Sequence, residues 1–323
     1  MIFPEIISKI NESSKIAIVS HIMPDGDSVG SSLALYNALK KAGKDVCFML
    51  DDNIPKIYRF LKNSEEVQKP GKFESYDAVI ALDCGDAERL GKAKLYKEGN
   101  FVINIDHHIS NSGFGNINFV DSNASATGEI IYYLIKEMNI GLDTETAECL
   151  YTAIVTDTGK FQYSSTTAAT HQIAGDLINN GVDIPLMFER IYQNNSKAKI
   201  LLMKNALNSL EFYHNGSISC ISITAEQMKD ANAADEDSDG IINLARDIEC
   251  VEVAVFLKEL ETGEIKVGLR SKKAFDVTAV AVQFGGGGHL HAAGCTIEGS
   301  ISEAKEKVIN AIIAIIAEYS HIQ

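Results

Sequence analysis

Seven residues have the types and spacings to hold metal ions. His21, Asp25 and Asp27 fall within one short stretch (HIMPDGD), followed by Asp83, by His107 with His108 beside it, and by Asp157. Four aspartates drawn into one crevice repel one another and raise each other's pKa values. Two divalent cations would match the four negative charges. Two imidazoles make the donor set a nitrogen and oxygen mixture, which suits Mn2+, Fe2+, Co2+ or Zn2+ better than Mg2+ or Ca2+. A pair of such ions activates a water and clamps the oxygens of an in-line phosphoryl displacement.

These residues need a frame that brings distant parts of the chain together. Short apolar runs predict strands over 16–20, 46–50, 76–82 and 101–105, and longer patterned segments predict helices over 28–41, 127–138, 144–155 and 166–179. Strands spaced by helices imply an α/β fold, a parallel sheet with helices on both faces. Ligands of such sheets sit beyond the carboxyl ends of the strands. His21, Asp25 and Asp27 follow the first strand, Asp83 ends the third, and Asp106-His107-His108 end the fourth. Each signal alone has a plainer reading. Asp25 or Asp27 could cap the helix that follows, and an adjacent histidine pair is common in surface loops. Asp157 is harder to explain away, because it lies near the end of an apolar helix, where a buried carboxylate needs a partner.

Beyond residue 185 the texture changes. Residues 186–210 read as one long helix linking two domains, 1–185 and 211–323. A strand over 217–223, an acidic turn-rich loop over 231–240 and a hairpin with strands 251–257 and 264–269 then predict a smaller α+β domain. The helix 277–283 leads into four consecutive glycines, Gly285 to Gly288, followed by His289. Such a run lets backbone N–H groups approach a phosphate as an anion nest, or it is only a turn between a helix and a strand. Thr127-Gly128-Glu129 is read as simple helix initiation, and Arg89, which could approach a phosphate from the Asp83 strand end, as half of a surface ion pair.

Composition narrows the partners. The net charge of -15, from 44 acidic and 29 basic residues, disfavours long or duplex nucleic acid, whose phosphates need a basic footprint. A short nucleotide neutralised locally by metal remains compatible. The apolar stretch 308–317 is far shorter than the roughly 20 residues of a membrane span, and the first ten residues lack the features of a secretory signal. The six cysteines include no CxxC pair and suit buried thiols in a reducing cytoplasm.

The motifs together resemble the DHH-type phosphoesterases. HIMPDGDSVGSSLAL, DCGD (83–86), DHH (106–108) and TAIVTDTGKF follow that family's order, and FGGGGHLHAAG (284–294) resembles its DHHA1-type substrate domain. The nearest subgroup is the stand-alone nano-RNase and pAp-phosphatase proteins. The resemblance implies two divalent ions, Mn2+ foremost. His21, Asp25 and Asp83 would hold one, and Asp27, Asp83, His107 and Asp157 the other, so that Asp83 bridges. It implies that His108 faces the substrate phosphate and helps protonate the leaving oxygen. Arg270, Ser271, Gly286, Gly287, Gly288 and His289 would grip the substrate, with His291 a weaker candidate. Expected substrates are short oligonucleotides, dinucleotides and 3′-phosphoadenosine 5′-phosphate. A RecJ-like single-strand exonuclease, a cyclic-dinucleotide phosphodiesterase and a non-catalytic nucleotide-binding regulator are the alternatives. Members of the family are often homodimers, but the sequence carries no diagnostic interface.

Overall fold

The computed structural model describes residues 3–272 and 275–320. The chain divides into two units, 1–194 and 195–323.

The first unit enters through helix α1 (Pro4–Glu12) and strand β1 (Lys15–Ser20), which is buried along almost its whole length. A strand covered on both faces must be this apolar. Strands β2 (Asp45–Met49), β3 (Ala78–Leu82), β4 (Val102–Asp106) and β5 (Ile117–Val120) complete a parallel sheet in the order β2-β1-β3-β4-β5. Chain direction across the sheet reverses between β1 and β3, the switch point where open parallel sheets bind ligands. Register matters more than order. Ser20 pairs with Leu82 and Leu82 with Ile105, so His21, Asp83 and Asp106 leave the sheet at one level.

One face of the sheet is covered by α2 (Gly26–Lys41), α3 (Thr127–Glu137), α4 (Thr144–Asp157), α5 (Ala168–Asn179) and α6 (Ile184–Tyr192). Leu33, Ile130, Ile154 and Met187 pack there in one core with Ile18 and Ile80. The other face is covered more thinly, by a 3-10 segment (Ala87–Lys97) whose Leu90, Ala93 and Tyr96 pack with Ala17, Val79 and Ala81. Strand β5 went unread in the sequence. As a short edge strand it alternates half-buried and exposed residues and offers no apolar run.

Helix α2 lies unusually close to α4. A Cβ added at Gly30 would come 2.5 Å from the Cys149 carbonyl oxygen and 2.9 Å from the Ala153 nitrogen. The contact fixes how α2 presents Asp27 to Asp157 at the end of α4. Gly30→Ala is therefore expected to destabilise the metal-free protein by ~1–3 kcal/mol, the usual cost of overpacking, although alanine is the better helix former. A urea midpoint equal to or above wild type would refute the close-contact account.

The expected single linker helix is two helices. α6 buries Met187 and Ile191 in the first core, whereas α7 (Lys197–Asn208) buries Leu202 and Ala206 in the second unit. The polar run 193–196 separates them, and the Ser196 side chain caps α7 by accepting from the Lys199 N–H at 2.9 Å. QNNS carries both the polar stop of one helix and the cap of the next.

In the second unit, β6 (Glu211–Tyr213), β7 (Ile218–Ile223), β8 (Val253–Glu259), β9 (Glu264–Ser271), β10 (Gly287–His289) and β11 (Ala292–Glu298) form a mixed sheet ordered β10-β11-β9-β8-β7-β6. Helices α10 (Thr278–Gln283) and α11 (Ile301–Ser320) cover one face, with Val280, Val308 and Ile312 against Val255 and Val267. Helix α7, the short α8 (Ala225–Asp230) and α9 (Ile242–Arg246) cover the other.

Candidate metal centre

Each ligand candidate of the first unit is placed by a strand or helix end. His21 follows β1, Asp83 follows β3, and Asp106-His107-His108 end β4. Asp25 is the N-cap of α2: its Oδ1 accepts from the Ser28 N–H at 3.0 Å while its Oδ2 lies 3.8 Å from His21 Nε2. Cap and candidate ligand are thus the same residue. Asp27 stands in the first turn of α2 and Asp157 ends α4.

The structure brings all of them together. His21 Nε2 is 3.5 Å from Asp83 Oδ2, and His107 Nε2 is 3.7 Å from Asp83 Oδ1. His107 Nε2 also lies 3.8 Å from Asp27 Oδ2 and 3.5 Å from Asp157 Oδ2. These separations are too long for hydrogen bonds and near the ~3–3.5 Å between donors that share one ion with bonds of about 2.0–2.2 Å. Three overlapping sets could each hold a cation: His21, Asp25 and Asp83; Asp27, His107 and Asp157; and Asp83, His107 and His108. Asp83 is 2 % exposed and sits at φ 54°, a left-handed conformation that aspartate tolerates better than most residues.

The imidazoles are oriented by their other nitrogens. His21 Nδ1 is 2.7 Å from the Ile22 carbonyl and His107 Nδ1 is 3.3 Å from that of Ala124, so both rings turn Nε2 toward carboxylates. Outer hydrogen bonds of this kind are what fix a metal-binding histidine. His108 differs: its Nδ1 lies 2.7 Å from Asp106 Oδ1. Asp106 is fully buried and is itself held by the Asn111 side-chain amide at 2.6 Å and the His107 N–H at 2.8 Å.

Helix α3 contributes what the sequence reading missed. The N–H groups of Thr127 and Gly128 donate to the two oxygens of Asp27 at 2.6 and 2.9 Å, and Thr127 Oγ1 donates to Asp83 Oδ1 at 3.0 Å. The helix start is real, but its positive end is spent on a site carboxylate. The clue was that no capping side chain precedes Thr127. Arg89 forms no ion pair among the described residues; its Nη2 lies 3.3 Å from His21 Nδ1, at the side of the cluster where the Asp83 strand ends.

Electrostatics tests whether a cation fits. Burial, then Asp83 and Asp157, push the Asp27 carboxyl well above the usual carboxylate range despite its N–H partners. Burial lifts Asp157 to about 6. Burial disfavours the His21 imidazolium, yet the Asp25 and Asp83 carboxylates outweigh it and raise that group to about 10. The cluster therefore draws protons as negative charge does when no countercharge is near, and the donor set fits divalent ions.

In the second unit the remaining candidates gather where β9 ends and β10 and β11 begin, with Arg270 opposite Ala292. Arg270 is half-buried. Ser271 is buried, its hydroxyl donating to the Phe275 carbonyl at 2.7 Å and lying 2.9 Å from His291 Nδ1, so it ties two loops together. The glycine run is less open than a four-residue nest. The N–H groups of Gly285 and Gly286 donate to Val282 and Ala281 at the end of α10, and Gly287 and Gly288 pair with β11. Because β10 is the edge strand, one side of Gly287 and Gly288 remains outside the ladder. The side chain of His289 lies outside the described residues.

A parallel sheet with clustered acids and imidazoles at its switch point defines a metal-dependent hydrolase of the phosphoesterase type. The DHH family's N-terminal domain matches residues 15–154, and the DHHA1 domain matches residues 220–318. The chain is 36% identical over 92% of its length, and 89% of the relative's, to the bifunctional oligoribonuclease and PAP phosphatase NrnA of Thermus thermophilus. It is 27% identical to the Bacillus subtilis protein of the same name, over 91% of this chain and 92% of that one. The crystal structure of an exopolyphosphatase-related protein from Bacteroides fragilis superposes with a TM-score of 0.91 at 29% identity, covering 96% of this chain and 95% of that one. The chain belongs to the DHH family of phosphoesterases.

Proposed function

We propose that the protein is a two-metal phosphoesterase that hydrolyses short oligoribonucleotides, dinucleotides and 3′-phosphoadenosine 5′-phosphate. The observation that carries the reading is Asp83, whose two oxygens face the two imidazoles His21 and His107 from one buried carboxylate. The names of the Thermus and Bacillus relatives support the substrate class, as does an acidic chain with no basic tract for a long strand. The unpaired cysteines suit a reducing, cytoplasmic setting.

His21, Asp25 and Asp83 would hold one ion and Asp27, Asp83, His107 and Asp157 the other, with Mn2+ the first choice for this donor set. When bound, such ions polarise phosphoryl oxygens and lower the pKa of a water. The rest is done by side chains. Thr127 and Gly128 keep the Asp27 carboxylate in place, and Thr127 also steadies Asp83. Asp106 holds His108 through Nδ1 and favours its imidazolium form, raising its pKa. As the water oxygen bonds to phosphorus and the ester P–O bond breaks, the proton on His108 Nε2 passes to the leaving oxygen. In the second unit, Arg270 with Gly287 and Gly288 would take a substrate phosphate. Gly286 shapes the turn, Ser271 steadies the Arg270 strand end, and His289 is proposed as a further substrate residue.

The decisive experiment compares kcat/KM on 3′-phosphoadenosine 5′-phosphate, a 5′-phosphorylated dinucleotide, a pentaribonucleotide and a cyclic dinucleotide, with Mn2+ and with EDTA. Hydrolysis of the first three in Mn2+ and none in EDTA is expected. Hydrolysis unaffected by EDTA, or none on any short nucleotide in Mn2+, would sink the reading.

A further inference from the structure

The second unit contains a cavity of about 230 Å3 on the sheet face opposite α10 and α11, between β8, β9 and β11 and the segment 238–242. Its floor includes Gly268, in the interior of β9 (EIKVGLRS). Glycine weakens a strand interior, and where it persists it often marks close approach by a ligand. Nothing in the fold requires it here. A Cβ at Gly268 would meet only Ile242 Cδ1 at 3.6 Å and Phe256 at 3.8 Å, both ordinary contacts. Its partner across the ladder, Gly294, is different, because a Cβ there would come 2.9 Å from the Val267 carbonyl oxygen. One glycine is demanded by packing and the other only keeps the floor clear.

The walls have a matching chemistry. Lys258 is 4 % exposed, with Nζ donating to Asp235 and, at 3.0 Å, to Ser238 Oγ. Lys258 is buried while Asp235 reaches it from the exposed segment 235–238, so the pair ties that segment to the sheet and supplies the lysine with a countercharge. Phe256 and Ile242 supply an apolar wall. Lys266 and Arg270 lie two positions either side of Gly268, on the same face of β9. Lys266 is exposed and forms no ion pair among the described residues. The Asp239 carboxylate on the 238–242 side also lines the cavity and would repel a phosphate there, but it can accept from a base or ribose. With a flat floor, an apolar side and the cations on β9, the walls fit a planar group whose phosphate lies at the Lys266 or Arg270 end, away from Asp239. The volume, just under the ~300 Å3 at which drug-sized pockets begin, admits one such unit.

We propose that this cavity is a nucleoside monophosphate site, with the base over Gly268 and the phosphate drawn to Lys266 or Arg270. The proposal rests on the function proposed above for its substrate class. The occupant is either one unit of a bound oligonucleotide or a free mononucleotide, and the test separates them. Full-length wild type, Gly268→Val and Lys266→Gln would be compared for thermal midpoint, for AMP binding by calorimetry in EDTA, and for kcat/KM on the nucleotide panel. The valine variant is expected to melt at or above wild type, since valine favours a strand, while AMP binding weakens at least about tenfold. A fall confined to the pentaribonucleotide and dinucleotide, sparing 3′-phosphoadenosine 5′-phosphate, identifies an oligonucleotide unit. Unchanged rates with AMP binding lost identify a free nucleotide. Unchanged AMP affinity and unchanged rates in a folded Gly268→Val overturn the proposal; should that variant not fold, Gly268→Ser and Lys266→Gln give the same readout. Failure of the wild type to hydrolyse any nucleotide would instead fault the functional reading.

Discussion

Asp83→Ala is expected to lower kcat/KM by at least about 10^3-fold, the upper end of what loss of one electrostatic stabiliser costs. No other candidate ligand serves both imidazoles: Oδ2 lies 3.5 Å from His21 Nε2 and Oδ1 lies 3.7 Å from His107 Nε2. Its loss would impair both ion sites at once. A defect of folding would give a different signature, and the cluster's own electrostatics separates the two. In the metal-free protein the carboxylates repel, as the raised Asp27 and Asp157 show. Removing Asp83 relieves the repulsion on Asp27 and Asp157 but also takes a carboxylate from the His21 imidazolium, so the two effects oppose and the metal-free melting temperature should change little. What should vanish is the stabilisation that Mn2+ confers through preferential binding to the folded state. Full activity of Asp83→Ala at saturating Mn2+ would refute the bridging role. A metal-free melting temperature well below wild type would show that Asp83 is chiefly structural, acting through Thr127.

The second large effect is expected at His108. His108→Ala should reduce kcat about 10^2–10^4-fold, the range for removal of a general acid, with KM and Mn2+ stoichiometry little changed. Asp106→Asn should reproduce much of that loss without touching substrate, because the amide cannot supply both the carboxylate that His108 Nδ1 faces at 2.7 Å and the acceptor for the Asn111 amide at 2.6 Å. The two losses should not add, since both act through one proton on one ring. A p-nitrophenyl ester of a nucleoside monophosphate tests the role directly. Its leaving group departs without a proton, so His108→Ala should act on it nearly as well as wild type. Equal losses on the natural and the activated ester would remove His108 from leaving-group protonation. A loss of bound Mn2+ would make it a ligand instead, as its 3.6 Å approach to Asp83 allows geometrically.

Much of this site was legible because it is written in local patterns. Buried parallel strands are apolar almost throughout, so 16–20, 76–82 and 101–105 stand out, and each breaks at its carboxyl end into Asp or His. A parallel sheet puts all those ends on one edge, so a convergence of residues far apart in the chain followed from the class of fold alone. Elements that do not bury a continuous stretch were harder to read. β5 alternates at an edge, β10 is built of glycines, and the break between α6 and α7 falls in a helical pattern whose two halves pack into different cores.

The stretch HIMPDGD, with Asp83, Asp106-His107-His108 and Asp157, pointed by itself to the carboxylates and imidazoles that the structure gathers into one cluster. Only the tertiary structure decided how they divide the work. That Asp83 faces two ways depends on its left-handed backbone and on the β1–β3–β4 register. That Asp27 is held by the start of α3, and that His108 is set apart from His107 by Asp106, depends on hydrogen bonds that include partners a hundred residues apart. The reason is physical. Residue type and strand periodicity are properties of a short segment. Which nitrogen of an imidazole or which oxygen of a carboxylate faces the site is set by whatever groups the folded chain packs against the other.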